Sequence, residues 1–96
     1  MNEVRFEWDE AKNKSNHKKH GLWFEEVVAA FSDPFGSLFF DPESSQTEDR
    51  FVLIGADYAG RILVIVHLHK ATEYLVRIIS ARKATANESR MYEEGI

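Results

Sequence analysis

No cysteine occurs in the chain, which removes disulfide frameworks and thiolate chemistry together. Any metal would have to be held by histidine and carboxylate side chains. Proline is sparse, with only Pro34 and Pro42. No apolar run approaches the length that spans a bilayer. The stretch from Met1 to Glu10 carries five charged side chains where a signal peptide would need an apolar segment. A soluble, cytosolic protein is the expectation. The sequence also lacks a phosphate-cradling P-loop, a dinucleotide-binding glycine fingerprint and a Gly-x-Ser-x-Gly elbow.

What is present suffices for one core. Ninety-six residues with 44% hydrophobic content fill a single small domain, residues 1–96, and are too few for two. The net charge of −4 taken alone argues against nucleic acid as a partner. Its distribution argues the other way. Between Ala11 and Phe24 stand four lysines and two histidines and no acid, whereas Glu25 to Asp57 holds eight acids against Arg50 alone. The remaining cations concentrate at Arg61 and from Arg77 to Lys83, so one basic face can coexist with a negative total.

Along the chain, Val4 to Trp8 alternates apolar with charged residues and reads as a short strand. Asp9 can cap a helix from Ala11 to His20 that Gly21 stops in a left-handed conformation. This helix offers nothing apolar after Ala11, so its anchors are expected at Trp8 and Leu22. Asn13, Asn16 and His20 share a face, either as a buried hydrogen-bonded seam or as part of a site. A second helix, Phe24 to Phe31, carries apolar residues at helical spacing and ends at Asp33-Pro34. Strands are expected at Gly36 to Phe40, Arg50 to Ala56, Arg61 to Leu68 and Thr72 to Ser80. The polar loop Asp41 to Asp49 is the candidate for mobility, Asp57 to Gly60 is a hairpin turn, and a short turn covers His69 to Ala71. Short connections make consecutive strands antiparallel neighbours. The result is an α+β fold of order β-α-α-β-β-β-β-α, a four-stranded meander that Val4 to Trp8 can extend to five.

The chemistry concentrates after the last strand. Arg77, Arg82 and Lys83 fall within seven residues, and Thr85-x-x-Glu88 has the spacing of a capping box at a helix start. Arg82 and Lys83 are therefore expected in a basic turn between strand and helix, as part of a phosphate site or as a solvated turn. His67 and His69 alternate on one strand face, but no third ligand suggests itself, and no metal is expected. RNA cleavage by its own 2′-hydroxyl needs cations to stabilise a phosphorane and a group that moves protons. Arg77, Arg82, Lys83, Lys12, Lys19, His20 and Tyr92 form a suitable set. His20 can also serve as a cap on the last helical carbonyls.

Phe6-Glu-Trp-Asp9-Glu-Ala-Lys12-Asn13, then Asn16-His-Lys-Lys-His20-Gly21, Phe24-Glu25-Glu26, Asp33-Pro34, Gly60-Arg61, Arg77-Ile-Ile-Ser-Ala-Arg82-Lys83-Ala-Thr and Tyr92-Glu93-Glu94 together resemble the BrnT family of type II toxin-antitoxin toxins. The resemblance implies a RelE-like fold and a metal-independent endoribonuclease that needs no cofactor and halts translation. It also implies neutralisation by a BrnA-type antitoxin, whose ribbon-helix-helix domain binds DNA so that the complex represses its own operon. Carried onto this sequence, Arg77, Arg82 and His20 are the expected catalytic residues, and Lys12, Lys19, Lys83, Arg61 and Tyr92 are expected to bind RNA. The chain departs from the family pattern in its last helix, where only Arg90 is basic, and at His17 and Trp23. The alternative function is a module that docks the antitoxin and assists repression without cleaving RNA.

Overall fold

The computed structural model describes residues 3–43, 48–70 and 74–95. The elements run β1 (Arg5–Glu7), α1 (Glu10–His20), α2 (Phe24–Val27), a 3-10 turn (Val28–Ser32), β2 (Ser37–Asp41), β3 (Arg50–Ala56), β4 (Ile62–Lys70), β5 (Leu75–Lys83) and α3 (Ala86–Glu94). The fold is α+β. Its five strands lie in the order β1-β5-β4-β3-β2. Consecutive strands from β2 to β5 pair antiparallel, and β1 adds in parallel beside β5 through Arg5, Phe6 and Glu7.

The core lies between the first helices and one sheet face. Leu22, Phe24, Val27 and Ala30 pack on Leu53, Leu63, Ile65, Val76, Ile78 and Ala81, all buried. Trp8 and Leu22 hold the two ends of α1 as its polar composition requires, with Trp8 set edge-on to Phe24 at 6.1 Å and Leu22 fully buried. At the helix start the Asp9 carboxylate accepts from the Lys12 N–H, and at its end Gly21 takes φ 73° and donates to the His17 carbonyl. Gly55 is needed for contact, because a Cβ there would stand 3.0 Å from the Ala30 carbonyl oxygen.

The second helix differs from expectation. Its α-helical part stops at Val27 and the chain tightens into the 3-10 turn through Ser32. That tighter turn still buries Ala30 against β3 and brings Phe31 beside Phe6. The last strand is also displaced. It ends at Lys83, so Arg82 and Lys83 are strand residues rather than a basic turn, because the ladder to β4 continues through Arg82 opposite Val64 and Lys83 opposite Leu63. His69 likewise belongs to β4. Residues 71–73, where that turn and the start of the last strand were expected, and part of the loop from Asp41 to Asp49, lie outside the described residues.

On the other sheet face Ile54 and Val64 are buried, alternating with the core residues Leu53, Leu63 and Ile65. Here α3 closes over β3, capped by Thr85, whose hydroxyl accepts from the Glu88 N–H while Glu88 accepts from the Thr85 N–H. Among the described residues no helix is long and apolar enough to cross a membrane.

Candidate nucleic-acid interface

The polar face of α1 turns out to be a seam. Asn13 and Asn16 are buried. The Asn13 carbonyl oxygen accepts from the Phe24 N–H at 2.7 Å, and its amide donates to the Glu25 carboxylate. Asn16 goes further, pairing with both backbone groups of Ala81: its amide donates to the Ala81 carbonyl at 2.9 Å and its oxygen accepts from the Ala81 N–H at 3.0 Å. The same amide donates to the Leu22 carbonyl. β1 pairs β5 only as far as Arg77. Beyond it, the Asn16 carboxamide takes over as a surrogate for a neighbouring strand, which a buried strand edge demands.

His20 is not part of that seam. Gly21 closes the helix through its own N–H, and the His20 side chain makes no hydrogen bond with the described residues. Instead it lines an open cleft of about 270 Å³ with Lys12, Ser15, Asn16, Lys19, Ile79 and Ser80. The cations of α1 and the middle of β5 therefore share one depression.

The middle of β5 is irregular. The register shifts between Val66 and His67, so that Ile78 faces His67 while Ser80 faces Val66, leaving Ile79 as the extra residue of a bulge. Arg77, Ser80 and Arg82 consequently stand opposite Leu68, Val66 and Val64, alternate residues of one strand, and share the face opposite the core residues Ile78 and Ala81. Uninterrupted alternation would have put the two arginines on opposite faces. Ser80 also lines the α1 cleft, so it joins the two groups of cations at the sheet edge.

Each arginine has a carboxylate partner. Arg77 stands 3.4 Å from Glu7 on β1. Arg82 makes two parallel hydrogen bonds to Glu88, at 2.7 and 2.9 Å. Those bonds hold the Glu88 carboxyl down at about pKa 2 and raise Arg82 further. Of the remaining expected residues, Lys83 is exposed at the end of β5. Arg61 is bound to Asp57 at 2.6 Å within the hairpin. The Tyr92 hydroxyl donates to Asp33 at 2.6 Å, which raises the tyrosine pKa. Burial alone would raise the Asp33 carboxyl, but the hydrogen bonds from Tyr92 and from the Ala56 and Phe35 N–H groups outweigh it and hold the group ionised below its ordinary value. The structure thus gathers Lys12, Lys19 and His20 in one cleft and Arg77 with Arg82 on the adjoining face. Arg61, Lys83 and Tyr92 stand apart.

Sequence reasoning did not single out Ser15, Ile79, Ser80, Glu7 or Glu88 as site residues. The capping box did mark Glu88, but only as a cap. His67 is buried, edge-on to Phe31 with ring centroids 4.9 Å apart, and burial lowers its pKa. Among the described residues no three His, Cys, Asp or Glu side chains are grouped to hold an ion.

The geometry defines a small α+β domain on a mixed five-stranded sheet. The chain belongs to the BrnT family of type II toxin-antitoxin toxins: the sequence profile described as "Ribonuclease toxin, BrnT, of type II toxin-antitoxin system" matches residues 8–88. Its structure is similar to the 1.1 Å crystal structure of the Brucella abortus ribonuclease toxin BrnT, with 25% identity and a TM-score of 0.59 over 85% of this chain and 97% of that one. No curated protein matches the chain.

Proposed function

We propose that this chain is a cytoplasmic, metal-independent endoribonuclease with a RelE-like arrangement, that it arrests translation and growth by cutting RNA, and that a BrnA-type antitoxin neutralises it. One observation carries the reading. The β5 bulge places Arg77, Ser80 and Arg82 on one face, beside the cleft that holds Lys12, Lys19 and His20. A phosphodiester lying across Ser80 would meet cations from both sides. Arg77 and Arg82 would stabilise the charge that develops on the phosphorane when the 2′-hydroxyl attacks, and His20 would move a proton. Lys12 and Lys19 would hold neighbouring phosphates. Lys83, Arg61 and Tyr92 stand farther along the surface as RNA contacts, Tyr92 only after its hydroxyl leaves Asp33. In the complex, DNA is bound through the antitoxin.

Incubating purified protein with short RNA in EDTA tests this. Products ending in a 2′,3′-cyclic phosphate and a 5′-hydroxyl are expected, and His20→Gln should suppress them while leaving the melting temperature nearly unchanged. Intact RNA at high protein concentration, together with normal growth on expression without antitoxin, would end the reading. A second reading, an antitoxin-binding co-repressor that no longer cleaves, is favoured by the engagement of Arg77 with Glu7 and of Arg82 with Glu88.

A further inference from the structure

The helices cover β5, β4 and part of β3, and stop before β2. Phe6, Phe31, Leu38, Leu53, His67 and Val76, drawn from β1 across the core-side face to β2, line a groove of about 540 Å³. Its wall continues through rings in contact, Phe31 on His67, His67 on Phe51 and Phe51 on Phe40. β2 is the last strand of the sheet and has a free edge among the described residues. Leu38 and Phe40 on it are 54% and 52% exposed, and Phe35 just before it is 75% exposed. Apolar side chains grouped along a free edge mark an interaction surface rather than ordinary scattered exposure.

The charge around the groove names its occupant. The charged residues lining it are Glu3 and Asp33, with no lysine or arginine. RNA would be repelled here, and the cations that suit it stand at β5 and α1. We propose that this groove docks an extended segment of the antitoxin, anchored on Leu38 and Phe40 of β2 and running across the groove so that a lysine or arginine faces Glu3 at its β1 end. The inference rests on the toxin-antitoxin reading and adds the place and chemistry of the contact. The antitoxin's anchor then lies away from the cleft of His20 and Ser80, and inhibition requires a second part of the antitoxin to reach across.

Calorimetric titration of the purified cognate antitoxin into wild-type protein and into the Leu38→Asp/Phe40→Asp double variant tests it. The double variant should bind about 30-fold or more weaker, the loss that accompanies one interface hot spot, while its RNA cleavage without antitoxin stays at the wild-type rate. Glu3→Lys should weaken binding by a smaller factor. Hydrogen exchange on the wild-type protein, which needs no variant to fold, should show Ser37–Asp41 amides slowed by the antitoxin. Unchanged affinity in a folded double variant, or unchanged exchange along β2, overturns the proposal. So does a wild-type dimer in sedimentation that the double variant abolishes, which would make a second copy the occupant, or RNA binding that the double variant loses. A wild-type chain that does not bind the antitoxin at all ends the toxin-antitoxin reading with it; binding that persists in both proteins ends only the groove.

Discussion

The two sides of β5 handle polar groups in opposite ways. Toward α1, the strand meets neutral carboxamides: Asn16 satisfies both backbone groups of Ala81 and the Leu22 carbonyl inside the fold. Toward α3, it meets charges: Arg77 with Glu7 and Arg82 with Glu88, each only partly shielded from water. A neutral, buried amide pairing does not titrate and has no competing partner, so it fixes the position of α1 on the sheet. An ion pair in contact with water is worth little net energy and can exchange its carboxylate for a phosphate. One side is buried and neutral, and the other is charged and in contact with water.

The largest effect should come from the exchangeable side when function is measured. Arg77→Ala is expected to slow RNA cleavage by about 10²- to 10³-fold, the loss typical of one group that stabilises transition-state charge. Its aliphatic stem also covers the sheet, so thermal unfolding must accompany the rate measurement. If the variant folds and still cleaves at the wild-type rate, the face that Arg77 shares with Ser80 and Arg82 is not the reacting face. For stability the order reverses. Asn16→Ala leaves the Ala81 N–H, the Ala81 carbonyl and the Leu22 carbonyl without their partner, and should cost on the order of 2–4 kcal/mol in urea unfolding. A loss below ~0.5 kcal/mol would mean that water replaces the amide without penalty, and the contrast between the two sides would collapse.

Much of this was legible because local rules act within a few residues. Asp9, Gly21 and the Thr85-x-x-Glu88 box mark helix ends in the sequence and do so in the structure. The anchors Trp8 and Leu22 could be named because α1 has no other apolar residue to bury. The end of β5 was not legible. Arg82 and Lys83 look like a turn by composition, and only pairing with Val64 and Leu63 keeps them in the strand. The bulge at Ile79 leaves no mark in an apolar run, yet it decides that Arg77 and Arg82 share a face. Nor does local pattern disclose that Asn16 pairs with a residue sixty-five positions away.

Acid should probe the charged side selectively. Glu88 has its folded pKa depressed to about 2 from an ordinary value of 4.5. A depressed carboxyl contributes stability that is present above its unfolded pKa and is lost as pH falls through the folded one. The window is therefore about pH 4.5 to 2, and after allowance for solvent screening the contribution is on the order of 1–2 kcal/mol. Wild-type stability should fall across that window by more than that of Glu88→Gln. Parallel curves would show that Arg82 gains nothing from its partner. Asn16→Ala should lower the whole curve without altering its slope, since no proton is involved.

The smallest expected effect lies where the last turn of α1 meets the residue before α2. His17 and Trp23 stack with ring centroids 3.9 Å apart and planes 8° from parallel, joining the last turn of α1 to the residue before α2. Trp23 remains 37% exposed, so the pair adds contact at the rim of the core rather than within it. His17 and Trp23 form one contact in which each ring gives the other a surface to cover. In a double-mutant cycle of His17→Ala and Trp23→Ala, the coupling energy should be about 0.5–1.5 kcal/mol, the range of ring pairs beyond their area burial. RNA cleavage should be unaffected, because neither ring lines the cleft of His20 and Ser80. A coupling near zero would show that the stack adds nothing to the seating of α1, which would then rest on Asn13, Asn16, Trp8 and Leu22 alone.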